Sequence, residues 1–273
     1  MNDLKVRLEQ HAMWLLDKNK GCRFVVKSGE CLQSADFRYA DLRSADLQYA
    51  DLQSANFRYA NLQSANLQYA DLRSADFRYA NLQYADLQSA NFRYANLQSA
   101  NLQSANLQSA DLQSADLQSA NFRYANLQYA DLQSADLQSA NLQSANLQSA
   151  NLQHIKDEFL SKLLFVKSEA KGLYDFLQKG KINGTAYEGE CACFVGTISN
   201  LRKENYKNLS CDLKADADSL TERWFLGISE NDTPANNQIS KITCHWIEEI
   251  CKENNILLPR YKILSSDEAP ECF

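Results

Sequence analysis

Asp36-Phe-Arg-Tyr-Ala40, Asp41-Leu-Arg-Ser-Ala45, Asp46-Leu-Gln-Tyr-Ala50: from Cys31 to Gln153 the chain repeats five residues at a time, with 24 complete units between Cys31 and Ala150. Each unit carries an Ala and, two residues later, a Leu or Phe, as in Ala40 and Leu42. A spacing of two puts both on one face of an extended segment. Five is odd, so a continuous strand would throw the next pair to the opposite face, and the chain must turn within every unit. A helix fails too, because five residues at about 100° each rotate the pattern by roughly 140° and leave no apolar stripe. No Gly or Pro occurs between Cys31 and Gln153, so any unusual backbone angle is expected at Asn or Asp. A short extended piece, a turn and a regular return describe a solenoid.

The A-(D/N)-L-x-x unit resembles the pentapeptide repeat proteins over about half of the chain. The resemblance implies a right-handed quadrilateral β-helix, with one unit per side, four units per coil, Leu or Phe inside and Ala at the corner. Residues 20 apart would then stack, and the 24 units would make six coils, a rod roughly 29 Å long at about 4.8 Å per coil. Phe37, Phe57 and Phe77 fall in one inner column, continued by Leu97, Leu117 and Leu137. Outside them Arg38, Arg58 and Arg78 line up beside Tyr39, Tyr59 and Tyr79. Asp51, Asp71, Asn91, Asp111 and Asp131 form an acidic column, whose repulsion at ~5 Å spacing is softened by Asn91 and Arg73.

The length of 273 residues fits two domains or a rod plus a domain. The net charge of −6 is too mild to demand a nucleic acid or membrane partner. The repeats carry eleven Asp against seven Arg, a net of −4. Met-Asn-Asp-Leu-Lys-Val-Arg at the start lacks the apolar run of a signal peptide, and no stretch is long and apolar enough for a membrane span. Eight cysteines without such a signal read as reduced thiols, and the expected compartment is the cytoplasm.

Three segments are expected: a cap over 1–30, the β-helix over 31–153 and a mainly helical domain over 154–273. Residues 3–18 read as an amphipathic helix with Leu4, Leu8, Ala12 and Leu15 on one face, Asn2 or Asp3 as cap and Gly21 as terminator. Cys22 to Val26 is a short β-rich run. Together these cover the open edge with which a solenoid begins. After Gln153 the period vanishes. Residues 155–169 and 171–179 suggest two helices, the first plugging the end of the rod. Asn183-Gly184 marks a turn, and residues 190–203 suggest a buried helix. Ser219-Leu-Thr-Glu222 reads as a capping box. Thr233-Pro234 reads as the start of the last long helix, with Ile239, Ile242, Trp246 and Ile250 as its stripe. A strand is expected from Ile256 to Leu264. Gly189 to Ile198 and Glu222 to Gly227 look similar to a region that follows such repeats in some phage and bacterial proteins, with no activity attached.

Candidate chemistry is sparse. Cys191, Cys193, Cys244, His245 and Cys251 contain enough ligands for zinc, but C-x-C with C-H-x5-C is not a standard finger spacing, and buried, inert cysteine is common. A Cys–His nucleophile would have to use His245, beside Trp246 in a helix. Asp216-Ala-Asp218 fits a helix entry better than a metal site. The rod surface is nearly uniform, where catalysis needs unlike groups in a concavity. The Arg38–Tyr39, Arg58–Tyr59, Arg78–Tyr79 strip reads either as a docking strip, since Tyr and Arg favour hot spots, or as a self-supporting ladder.

Some pentapeptide repeat proteins bind type II topoisomerases by imitating DNA. About 29 Å of duplex carries roughly 17 negative charges, against a net of −4 here, so mimicry would rest on the column Asp51, Asp71, Asp111 and Asp131. The sequence therefore indicates a non-enzymatic scaffold without a cofactor, binding a protein partner, with a topoisomerase as the first alternative and a metal or thiol site in 154–273 as the second. Neither direct nucleic-acid nor membrane binding is expected, and a homodimer is left open.

Overall fold

Every inner unit of the repeat satisfies its own backbone in the same way. In Asn61–Ala65 the Asn61 N–H donates to Ala40 O of the preceding coil (2.9 Å). Leu62 and Ser64 donate to Asn81 O and Gln83 O of the following coil (2.7 and 2.9 Å). Ala65 closes a turn onto Leu62 O (3.0 Å), and Gln63 N–H donates to the Asn61 side chain, Oδ1, at 3.2 Å. All five donors are used, which is what a buried backbone requires. The side chain at the first position is Asn or Asp because only a short acceptor reaches the N–H two residues on. Single-residue parallel bridges join residues 20 apart from Cys31↔Asp51 to Asp131↔Asn151. Twenty residues per coil at five per side make the coil four-sided. The computed structural model describes residues 2–26, 30–182, 194–203, 219–225, 227, 228 and 231–258.

The left-handed backbone position is not the Asn or Asp that the sequence suggests. It is the fourth residue of each unit, Ser or Tyr, with φ between 55° and 61° from Ser34 to Ser149. The first residue is held extended by its ladder bonds. The third residue of the turn, as in Leu62–Ala65, must then take positive φ, the pattern of a type II turn. Such a conformation costs a non-glycine residue on the order of 1 kcal/mol or more. It persists because the ladder and the core on either side determine it.

The interior is apolar throughout. Leu and Phe at the second position, and Ala at the fifth, are fully buried along the middle of the rod. Phe37, Phe57 and Phe77 stack 4.7 and 4.6 Å apart, within 7° of parallel. The coil rise itself imposes this face-to-face arrangement.

Helix α1 (Asn2–Leu16) lies over the first coil, with Leu4 and Leu8 packed on the core. Ala12 is exposed, however, and His11 takes the buried place. His11 Nδ1 accepts the Phe24 N–H at 3.0 Å, a bond no apolar residue can make. Phe24 packs edge-on to Phe37 at 6.0 Å, and Val26 N–H joins the ladder at Asp46 O (2.8 Å). Gly21, at φ 76°, turns the chain where an added Cβ would fall 2.1 Å from Gln10 O.

Beyond the repeats come α2 (Gln153–Phe165), α3 (Ala170–Gln178), α4 (Phe194–Arg202), α5 (Leu220–Phe225) and α6 (Gln238–Glu253). Ile155, Phe159 and Leu163 of α2 are buried, in one continuous core with the last coils. The long helix starts at Gln238, not at Thr233. Asn237 is its cap, accepting Ser240 N–H at 2.9 Å, while Thr233–Asn236 form a turn ahead of it. The N-terminus of α5 is capped from another helix. Glu158 of α2 accepts Leu220 N–H and Thr221 N–H, both at 3.1 Å, and the Ser219 hydroxyl at 2.6 Å. The side chain of Glu222, the second half of the expected capping box, lies outside the described residues, as do Asn183-Gly184, Gly189, Cys191, Cys193, Asp216-Ala-Asp218 and 259–273. Residues 256–258 are described and are not in a strand.

Candidate interaction surface

The 20-residue step brings the expected strip together. Tyr39, Tyr59 and Tyr79 stack 5.2 and 5.0 Å apart, within 6° of parallel. Each is exposed, at 72%, 43% and 48%. Their faces are used by one another, so the inner members present ring edges and hydroxyls. Beside them Arg38 pairs with Asp36 at 2.7 Å and Arg78 with Asp76 at 2.6 Å. Arg58 lies 3.9 Å from Asp76 and 5.7 Å from the Tyr59 ring centre. Hydrogen bonds from Arg38 hold the Asp36 carboxyl down at about 2. The strip is thus an ordered ladder of rings flanked by guanidinium–carboxylate pairs.

Sequence reasoning misses a second ladder. Tyr49 and Tyr69 stack at 5.0 Å, on a side that carries no Arg. Their separation of 20 is the signal that could have found it.

The acidic column is aligned as expected, since Asp51, Asp71, Asn91, Asp111 and Asp131 bridge in succession. Its charges are not bare. Arg73 contacts Asp71 at 2.6 Å and Arg93 lies 3.8 Å from Asp111. Gln33 donates to Asp51 at 2.8 Å, and Gln113 donates to Asp131. Arg73 is the largest influence lowering the Asp71 pKa. A shallow cavity of about 500 Å³ opens on this side, lined by Arg73, Arg93, Tyr94 and Asp111 among others.

The thiol candidates diverge. Cys244 and Cys251 point into the core, whereas the side chain of His245 is 67% exposed and lies 3.5 Å from Glu249. Adjacent helix positions point about 100° apart, which separates Cys244 from His245. Burial, with Glu248 nearby, pushes the Cys244 thiol up to about 12, so it carries no thiolate at neutral pH. Among the described residues no three His, Cys, Asp or Glu side chains converge as metal ligands, and no helix is long and apolar enough to cross a membrane.

The model of the pentapeptide repeats matches in eight copies, over residues 32–58, 55–93, 85–123 and 115–153. Residues 32–153 are pentapeptide repeats. They accordingly form a right-handed quadrilateral β-helix. Among solved structures, a pentapeptide repeat protein from Nostoc PCC 7120 is 43% identical, over 33% of this chain and 74% of that one, with a TM-score of 0.31. Rfr23 from the cyanobacterium Cyanothece 51142 is 25% identical, over 44% and 88%, with a TM-score of 0.35. Trypsin-treated QnrB1, a plasmid-mediated fluoroquinolone resistance protein, is 19% identical, over 53% and 92%, with a TM-score of 0.25. At these TM-scores the superpositions add nothing to what the repeat itself shows. No curated protein matches this chain.

Proposed function

We propose that the protein is a non-enzymatic scaffold of the cytoplasm. Its rod, residues 31–153, holds a protein partner on the strip Arg38, Tyr39, Arg58, Tyr59, Arg78 and Tyr79, and the flanking segments 1–30 and 154–273 act as caps. The observation that carries this reading is the Tyr39–Tyr59–Tyr79 stack. Rings fixed by their neighbours lose little entropy on binding, and rigid Tyr beside Arg is the composition of a hot spot.

The test uses Tyr39, Tyr59 and Tyr79 changed together to Ser in the full chain. Ser occupies the same left-handed position in neighbouring units, as at Ser64 (φ 57°), so the fold should survive. The full-length protein is used as bait, and a partner recovered with the wild type should fall by about tenfold with the variant. Equal recovery would leave the stack as a ladder that supports only itself.

A type II topoisomerase is the weaker candidate partner. Pairing of Asp71 and Asp111 with Arg73 and Arg93 dilutes the column that mimicry needs. Inhibition of gyrase supercoiling by the purified protein would favour it over the strip reading.

A further inference from the structure

Along the rod the second and fourth residues of each unit donate their N–H groups to carbonyls of the next coil. Leu117 donates to Asp136 O, Ser119 to Gln138 O and Phe122 to Asn141 O, at 2.9, 2.8 and 2.8 Å. Among the described residues, no further coil follows the edge from Asp136 to Ala150. Among the described residues, the N–H groups of Leu137, Ser139, Leu142, Ser144, Leu147 and Ser149 find no acceptor. The side chains of that edge are correspondingly open. Asn141, Gln143, Asn146 and Gln148 are exposed, whereas the equivalent Asn and Gln positions in the middle of the rod are half-buried. The edge also borders a groove of about 360 Å³ between Ser139–Gln143 and Gly227, Asp232 and Asn237.

The geometry points to this edge as a docking site for an extended peptide, added as one further rung of the ladder. Its carbonyls would accept from Leu142 and Ser144, and its N–H would donate to Ala140 O, repeating the bonding of every inner unit. Side chains specify the residue. Asn126 donates to Asn106 at 3.1 Å and Asn146 donates to Asn126 at 3.2 Å, so the next rung is an Asn whose amide donates to the Asn146 or Asn141 Oδ1. The residue after that Asn points inward. Leu137, Leu142 and Leu147 are already roofed, at 4–5% exposure, so it must be small. The partner is therefore an extended segment in which Asn precedes a small residue. A second copy of this chain fits less well, because α1 and Phe24 cover its first coil and leave no bare coil there to set against this edge.

The probe is the labelled peptide Ser-Ala-Asn-Ala-Gln-Ser-Ala, titrated against the full chain and followed by fluorescence anisotropy. Saturable binding is expected, weakened about tenfold by Asn141→Lys with Asn146→Lys, and equally by N-methylation of the peptide at its Asn. Both substituted side chains are exposed, and unchanged circular dichroism would verify that the rod is intact. Three results would overturn the assignment: no saturable binding at millimolar peptide, binding indifferent to the edge substitutions, or light scattering showing a dimer of the wild type that those substitutions dissociate. The strip variant at Tyr39, Tyr59 and Tyr79 should bind this peptide normally, which separates the two sites.

Discussion

At the scale of the residue, the fourth position of the unit governs what the rod tolerates. Ser104 sits at φ 57°, with its N–H bonded to Arg123 O at 2.9 Å. A β-branched side chain is a poor fit to that conformation. Ser104→Val should therefore lower stability by about 1–3 kcal/mol, read from the shift in urea midpoint. Tyr79→Ser, which keeps a residue type the position already accepts, should change it by no more than about 0.5 kcal/mol. Equal losses in the two variants would contradict this account. The apolar residues were legible from spacing alone, since a period of five admits only one inward pair. The left-handed residue was not. Propensity favours Asn or Asp there, and only the ladder bonds of the first position show why those residues stay extended.

At the scale of the element, two titrating groups hold the flanking helices. Burial alone would raise the Glu158 pKa, but hydrogen bonds from Ser219, Thr221 and Lys162 bring it down to about 2. A carboxyl depressed in the folded state stabilises above its unfolded value of 4.5, and that contribution is lost as pH falls through about 2. Glu158→Gln should cost roughly 1–3 kcal/mol near neutral pH, and the difference from wild type should shrink below about pH 4 in thermal melts. A constant difference down to acid pH would refute the charge-based cap. His11 works in the opposite charge sense. Burial lowers its pKa below 6.5, and Arg23 and Arg43 add to this, while Asp41 and a backbone contact at Arg43 oppose it. The neutral ring is favoured in the fold, so stability holds above 6.5 and declines as pH falls from there through the folded value. Trp14, stacked on His11 at 5.5 Å, should report the loosening of α1 by fluorescence, and His11→Phe should abolish that pH response. Helix existence was readable from apolar periodicity here, but the caps were not. Glu158 and its α5 partners lie about 60 residues apart in sequence, beyond the reach of any local motif, and His11 looked polar to a pattern built on apolar residues.

At the scale of the molecule, a stack of like coils depends on what closes its ends. Deleting residues 1–26 would uncover Phe37 and Leu42, and the shortened chain should associate or precipitate where the full chain does not, as light scattering would show. A monodisperse truncated chain would mean that the first coil needs no roof. The ring contacts hold a further consequence. Phe57 and Phe77, 20 residues apart, lie parallel, but Phe77 and Phe92, only 15 apart, meet at 59° and 5.6 Å. A shortfall of one unit moves the Phe-Arg-Tyr signature round the corner to the adjacent side. Repeat number is thus an angular setting. Gaining or losing a single unit would leave every inner contact in register, yet would swing all that follows by about a quarter turn, so that the azimuth between the tyrosine stack and the C-terminal helices is written in the count of units modulo four.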